Sequence, residues 1–242
     1  MLRDINLEIE PGTTVGIVGA TGSGKSMLIS LLGRIYDPDE GVVSIDGYDL
    51  RSIRLRSLRR DVVYVPQETL LFTMPLRQNI ALGVPETPDP QLRAAIHRAR
   101  LSNDLPQLPR GLDTTVGERG TTLSGGQRQR TALARALVRD PKVLLLDDAL
   151  ASVDMKTSAQ IIEELRKERS QRTVIIVSQR LAAVQDAEQI AVLDEGRIVE
   201  LGTHEALLAK DGIYAEMYHH ETDESDQEAQ QETGQETGQE SA

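Results

Sequence analysis

Eight residues constrain this chain more than any others. Gly19-Ala20-Thr21-Gly22-Ser23-Gly24-Lys25-Ser26 fits the pattern G-x-x-x-x-G-K-[ST]. The aliphatic run Val15-Gly16-Ile17-Val18 precedes it, and the helical run Met27 to Leu32 follows. A strand, a glycine loop and a helix in that order wrap successive backbone N–H groups around one point. The helix N-terminus, with Met27 in its first turn, adds the positive end of its dipole. The spacing predicts a phosphate-chain site of the kind that holds ATP. Lys25 would reach the β- and γ-phosphates and the Ser26 hydroxyl would ligate Mg²⁺. With glycine near ~7% of residues, chance would produce this pattern in about one per cent of chains this long.

The loop demands a parallel sheet, and the remaining strand signals agree. Val62-Val63-Tyr64-Val65, Val143-Leu144-Leu145-Leu146 and Thr173-Val174-Ile175-Ile176-Val177 are continuous apolar runs. Strands covered by helices on both faces read this way. The expected fold class is α/β: a P-loop NTPase with a mostly parallel core sheet. Ile5 to Ile9 and Val42 to Ile45 alternate instead, which predicts strands of a small antiparallel subdomain. Residues about 75–140 read as an inserted helical subdomain. Asp194-Glu195-Gly196 between two apolar runs predicts a hairpin.

Charge excludes some partners. The chain has 242 residues, 27 basic and 38 acidic. Eight of the acids fall in residues 221–242, which contain no Lys or Arg, so the other 220 residues carry a net −3. That balance gives no electrostatic reason to expect nucleic acid. Residues 221–242 repeat Gln-Glu-Thr-Gly and bury almost nothing apolar, so a disordered acidic tail is expected after a domain over 1–220. There is no cysteine, which removes disulfides and thiolate metal sites.

Two further motifs carry chemistry. Asp147 closes an aliphatic strand, at the end where doubly wound sheets bind ligands, and predicts a second Mg²⁺ contact. Leu123-Ser124-Gly125-Gly126-Gln127 opens the helix Arg128 to Arg139. Ser124 suits an N-cap, and two glycines allow a ligand to approach closely. A capped helix start explains the segment, and so does a second phosphate site at a helix N-terminus. One chain cannot easily fold both loops onto one nucleotide, so the second reading needs two chains.

In order, the loop 19–26, Gln67 after a strand, Leu123 to Gln127, Leu146-Asp147 and Ala151-Ser152-Val153-Asp154 resemble the nucleotide-binding domain of ATP-binding cassette (ABC) proteins over residues 1 to about 220. The resemblance implies a head-to-tail dimer sandwiching two ATP molecules. Each ATP would lie between one chain's phosphate loop and the other's Ser124, Gly125, Gly126 and Gln127. It implies that Gln67 senses Mg²⁺ and the attacking water, and that Asp154 lies in a loop crossing the dimer interface. Thr115-Val116-Gly117-Glu118-Arg119-Gly120 resembles the exporter segment that contacts a transmembrane domain. The implied partners are therefore a second nucleotide-binding domain and an exporter's membrane domain, and the implied location is the cytoplasmic face of a membrane. The family's adenine-stacking aromatic precedes the position of Leu2, so the resemblance implies that this sequence is part of a longer half-transporter.

Two positions depart from that pattern. The family places Glu after Asp147 as general base, and this chain has Asp148. It places His after Ser178, at the γ-phosphate, and this chain has Gln179. Asp and Glu differ little in acidity (~3.9 and ~4.3), so the shorter reach of Asp148 is the larger change. Gln179 can donate a hydrogen bond but cannot become cationic. The Ser124–Gln127 motif is intact. The pattern resembles the degenerate-site half of a heterodimeric exporter, opposite a partner with both Glu and His. A regulatory ATP-binding subunit without turnover and a soluble ABC ATPase are the alternatives.

Overall fold

The computed structural model describes residues 1–120, 122–167 and 172–223. Its centre is a six-stranded sheet in the order β4-β5-β6-β1-β7-β8. The strands are β1 (Thr14–Val18), β4 (Val62–Val65), β5 (Val143–Asp147), β6 (Thr173–Val177), β7 (Gln189–Asp194) and β8 (Arg197–Gly202). The first five run parallel, and only β8 is antiparallel, to β7. The β7–β8 turn has Glu195 at φ 44° and Gly196 at φ 81°. Two positive φ values in succession fit a two-residue turn whose twist matches the flanking strands.

The continuous apolar runs are explained by cover on both faces. Val15 and Ile17 of β1 face a cluster with Leu28 and Ile29 of α1 (Lys25–Leu32) and Leu58 of α2 (Leu55–Asp61). Val18 faces the opposite cluster, with Leu133 and Leu137 of α5 (Gly125–Leu137) and Ile161 and Leu165 of α6 (Met155–Lys167). The α3 (Leu76–Ile80) and α4 (Asp89–Arg98) helices share that second cluster through Leu76, Ile80, Leu92 and Ile96.

The small antiparallel sheet is shorter than expected: β2 (Ser44–Ile45) pairs with β3 (Tyr48–Asp49). Residues 5–9 form no strand. Ile5 and Ile9 still pack inward and Asn6 and Glu8 are exposed, so the alternation is real. Among the described residues no strand lies alongside to complete a ladder, and an unpaired segment is not a strand. A helix over 213–223 takes in Glu221 and Asp223, the first acids of the predicted tail, and Glu221 accepts from the Leu181 N–H at 2.7 Å. The rest of that tail lies outside the described residues. Before the 213–223 helix, the short helix α7 (His204–Ala209) caps on Thr203, whose hydroxyl accepts from the Ala206 N–H.

Candidate nucleotide-binding site

Parallel strands point their C-terminal ends the same way, so the loops after β1, β4, β5 and β6 meet along one edge. That edge collects Gly19 to Ser26, Gln67, Asp147, Asp148 and Gln179. The phosphate loop begins at Gly19, at φ 143°. A Cβ there would stand 2.0 Å from the Leu193 carbonyl oxygen, so only glycine lets the loop leave the sheet. Gly24, at φ 109°, is the left-handed N-cap of α1. Its first-turn N–H groups have no helical acceptor and are free to meet an anion.

Lys25 is 7% exposed, and its ammonium donates to the carbonyls of Gly19 (2.7 Å) and Ala20 (2.9 Å). The cation thus closes the loop's own mouth. Burial lowers its pKa, and Asp148 and then Asp147 offset part of that. The Ser26 hydroxyl donates to Asp147 Oδ1 at 3.1 Å. Two of the expected Mg²⁺ ligands, Ser26 and Asp147, therefore lie side by side. They offer only oxygen, which fits a hard cation that keeps most of its shell as water and phosphate.

Tyr64 was not anticipated. Its hydroxyl donates to Asp147 Oδ2 at 2.8 Å, so the carboxylate is fixed from one side and offers Oδ1 to the other. Burial, then the hydrogen bond to Asp147, pushes the phenol well above its usual pKa. The sequence signal was present: a lone polar atom in the run Val62–Val65 needs a buried partner.

Asp148 sits at φ 46°, in the left-handed region, with its N–H on the Val177 carbonyl at 2.9 Å. Gln67 Nε2 donates to its Oδ2 at 3.1 Å. Burial raises its pKa most, opposed by the Gln179 backbone N–H and the charges of Arg180 and Lys25. Gln67 thus meets Asp148 through its side chain, and Gln179 meets it through its backbone N–H. Arg180, another residue not anticipated, donates to the carbonyls of Ala151 (2.9 Å) and Val153 (3.1 Å). Asp154 caps α6 by accepting from the Thr157 N–H at 2.9 Å, which holds its carboxyl below the usual range.

Ser124, Gly125, Gly126 and Gln127 form a separate group at the start of α5. Ser124 and Gln127 make a reciprocal capping box. Gly125 and Gly126 press against Ser152: a Cβ on Gly126 would stand 2.9 Å from the Ser152 carbonyl oxygen. The Gln127 side chain is committed at both ends, to the Ser124 N–H (2.9 Å) and to Asp104 (3.2 Å). That leaves Ser124, which is exposed, and the glycine backbone to meet a ligand.

A glycine loop after a central parallel strand, a helix N-terminus, and a Ser–Asp oxygen pair define a P-loop nucleotide-binding domain. The ABC transporter family model matches residues 2–151, and the chain belongs to that family. It is 47% identical over 219 residues to the ATP-dependent lipid A-core flippase of Alkalilimnicola ehrlichii, covering 90% of this chain and 37% of that protein. It is 46% identical over 217 residues to a probable multidrug resistance ABC transporter ATP-binding/permease protein of Bacillus subtilis, covering 90% and 37%. A bacterial Atm1-family ABC exporter solved with ATP bound superposes with a TM-score of 0.86 at 42% identity, over 90% of this chain and 38% of that one. The chain spans a little over a third of the length of these relatives. Among the described residues no helix is long and apolar enough to cross a membrane. Family membership supports nucleotide binding and ATP hydrolysis.

Proposed function

We propose that this chain is the ATP-binding motor of an exporter, that its own ATP site turns over slowly, and that its Ser124–Gln127 segment serves an ATP held by a partner domain. The observation that carries the reading is the pair at the end of β5 and β6: Asp148 where a longer carboxylate would reach the attacking water, and Gln179 where a cation would meet the γ-phosphate. Burial raises the proton affinity of Asp148, which is the direction a general base needs. Reach is what it lacks, and a misplacement on the order of 1 Å costs ~100-fold. The site is slow rather than dead on this reading.

In this scheme Lys25 and the N–H groups of residues 19–27 hold the phosphates. Ser26 and Asp147 would hold Mg²⁺, with Gln67 as a further contact, and the ion would supply neutralisation of phosphate charge. Gln67 orients Asp148 toward the attacking water. A second nucleotide-binding domain carrying Glu and His completes the dimer, and a transmembrane domain receives the motion at the cytoplasmic face. ATPase activity of the chain alone, and of Asp148→Glu/Gln179→His, tests the reading. Slow wild-type turnover and a marked gain in the double variant are expected. Brisk wild-type turnover, unimproved by both changes, would sink it.

A further inference from the structure

Gln127 is held by more than its capping box. Asp104 lies between the 3₁₀ turns Leu101–Asn103 and Leu105–Gln107 and is 8% exposed. Its Oδ1 accepts from Gln127 Nε2 at 3.2 Å. Both its oxygens accept from the same Arg130 nitrogen, Nη2, at 2.8 Å. Gln127 Oε1 in turn accepts from the Ser124 N–H at 2.9 Å, and Ser124 Oγ from the Gln127 N–H at 3.2 Å. In an ordinary capping box only the glutamine Oε1 has a protein partner, and Nε2 faces water. Here a buried carboxylate fixes it. The charge also lies near the positive end of α5, where an anion is stabilised.

The ion pair itself is not arranged for strength. Arg130 Nε is buried with no partner, and one terminal nitrogen bridges both carboxylate oxygens in place of a two-pronged fork. A buried pair of this kind adds little to stability over an apolar pair of equal volume. Its geometric effect is larger: Asp104 sets Gln127, Gln127 sets Ser124, and Arg130 Nη1 stands 3.3 Å from where a Cβ on Gly126 would be.

We infer that Asp104 is a positioning residue for the Ser124–Gln127 segment, holding Ser124 and Gly125 in the pose that receives a nucleotide bound to another subunit. This rests on the proposal that the segment works across a dimer. A second copy of the chain can stand in for the partner, because a slow site lets an ATP-bound dimer accumulate. Asp104→Leu/Arg130→Leu removes both buried charges together, so that neither is left unpaired. Three measurements are made on it: thermal melting, binding of a fluorescent ATP analogue to the monomer, and Mg·ATP-dependent self-association by sedimentation.

The expected result is melting and monomer binding like wild type, with self-association weakened about tenfold or more. Self-association within twofold of wild type, with Ser124→Arg abolishing it, overturns the role of Asp104 and leaves the cross-dimer reading intact. No ATP-dependent association in wild type, or association indifferent to Ser124→Arg, overturns the cross-dimer reading and the role of Asp104 with it. If the double variant melts early, Asp104→Ala/Arg130→Met replaces it: it also removes both charges, it leaves Gln127 and its capping box in place, and the same tenfold criterion applies.

Discussion

Tyr64→Phe isolates one hydrogen bond in the cation site. The ring stays, and only the hydroxyl that donates to Asp147 Oδ2 at 2.8 Å is lost. Asp147 is 4% exposed, so that oxygen has little access to replacement water. A hydrogen bond to a charged group contributes about 1.5–3 kcal/mol. The lower end applies because Tyr64 is only half-buried. For a domain of this size 1 kcal/mol moves Tm by about 2–4 °C, so a fall of about 3–6 °C is expected. The pH dependence follows from the raised phenol pKa. A group whose folded pKa lies above its unfolded value of ~10 contributes fully below that value and loses its contribution as pH rises through the folded one. The Tm gap between wild type and variant should therefore be flat from pH 6 to 9 and shrink only in stronger alkali. Differential scanning calorimetry without nucleotide measures both. A Tm unchanged within about 1 °C would show that water replaces the phenol and that Asp147 needs no second donor.

Lys25→Ala removes the cation and both loop-closing hydrogen bonds, and should weaken ATP binding about 10- to 100-fold by isothermal titration. Gly19→Ala must move the Leu193 carbonyl, whereas Gly22→Ala, at φ 85°, meets nothing within 4 Å. Gly22→Ala carries only backbone strain of about 1–3 kcal/mol, so Gly19→Ala, farther from the left-handed well and with the clash added, should lose more Tm. Asp148→Asn should raise Tm at pH 7, since burial disfavours the charged carboxyl and Asn tolerates the positive φ. The sign follows from the raised folded pKa: the carboxyl costs stability when ionised, so the gap should close as pH falls toward ~4 and both states protonate.

What the sequence showed follows from how each feature is encoded. The phosphate loop is local: glycines at positive φ, a lysine and a hydroxyl within eight residues, all dictated by backbone geometry. Asp147 was legible because it closes an apolar run at the ligand end of a strand, and Gln67 through the family resemblance. The partners of Tyr64, Asp104 and Arg180 were not, because they lie 83, 26 and 29 residues away. A tyrosine in a strand or an arginine after one has many possible neighbours until topology fixes them. The segment 5–9 failed for the opposite reason. It alternates as a strand would, but a strand exists only beside another, and periodicity says nothing of whether a partner is present.

The two halves of the functional surface meet at residues 149–154. From one side Arg180, which follows Gln179, grips the carbonyls of Ala151 and Val153, and its own N–H is fixed to Ser178 Oγ at 3.0 Å. From the other side Gln129 of α5 accepts from the Ser152 N–H at 2.7 Å, and Gly126 packs on the Ser152 carbonyl. Each is a backbone contact, so it responds to main-chain displacement rather than to a side-chain rotamer. A shift of the 149–154 segment driven from the Asp148–Gln179 pole has to break the Ser152–Gln129 bond or carry α5's first turn with it. Breaking a buried bond costs about 1–3 kcal/mol, whereas a rigid-body shift of a capped helix keeps its bonds. The second course is therefore favoured. Residues 149–154 thus link the phosphate-loop edge to the Ser124–Gln127 segment, beside the contacts that the segment after β4 makes with α5.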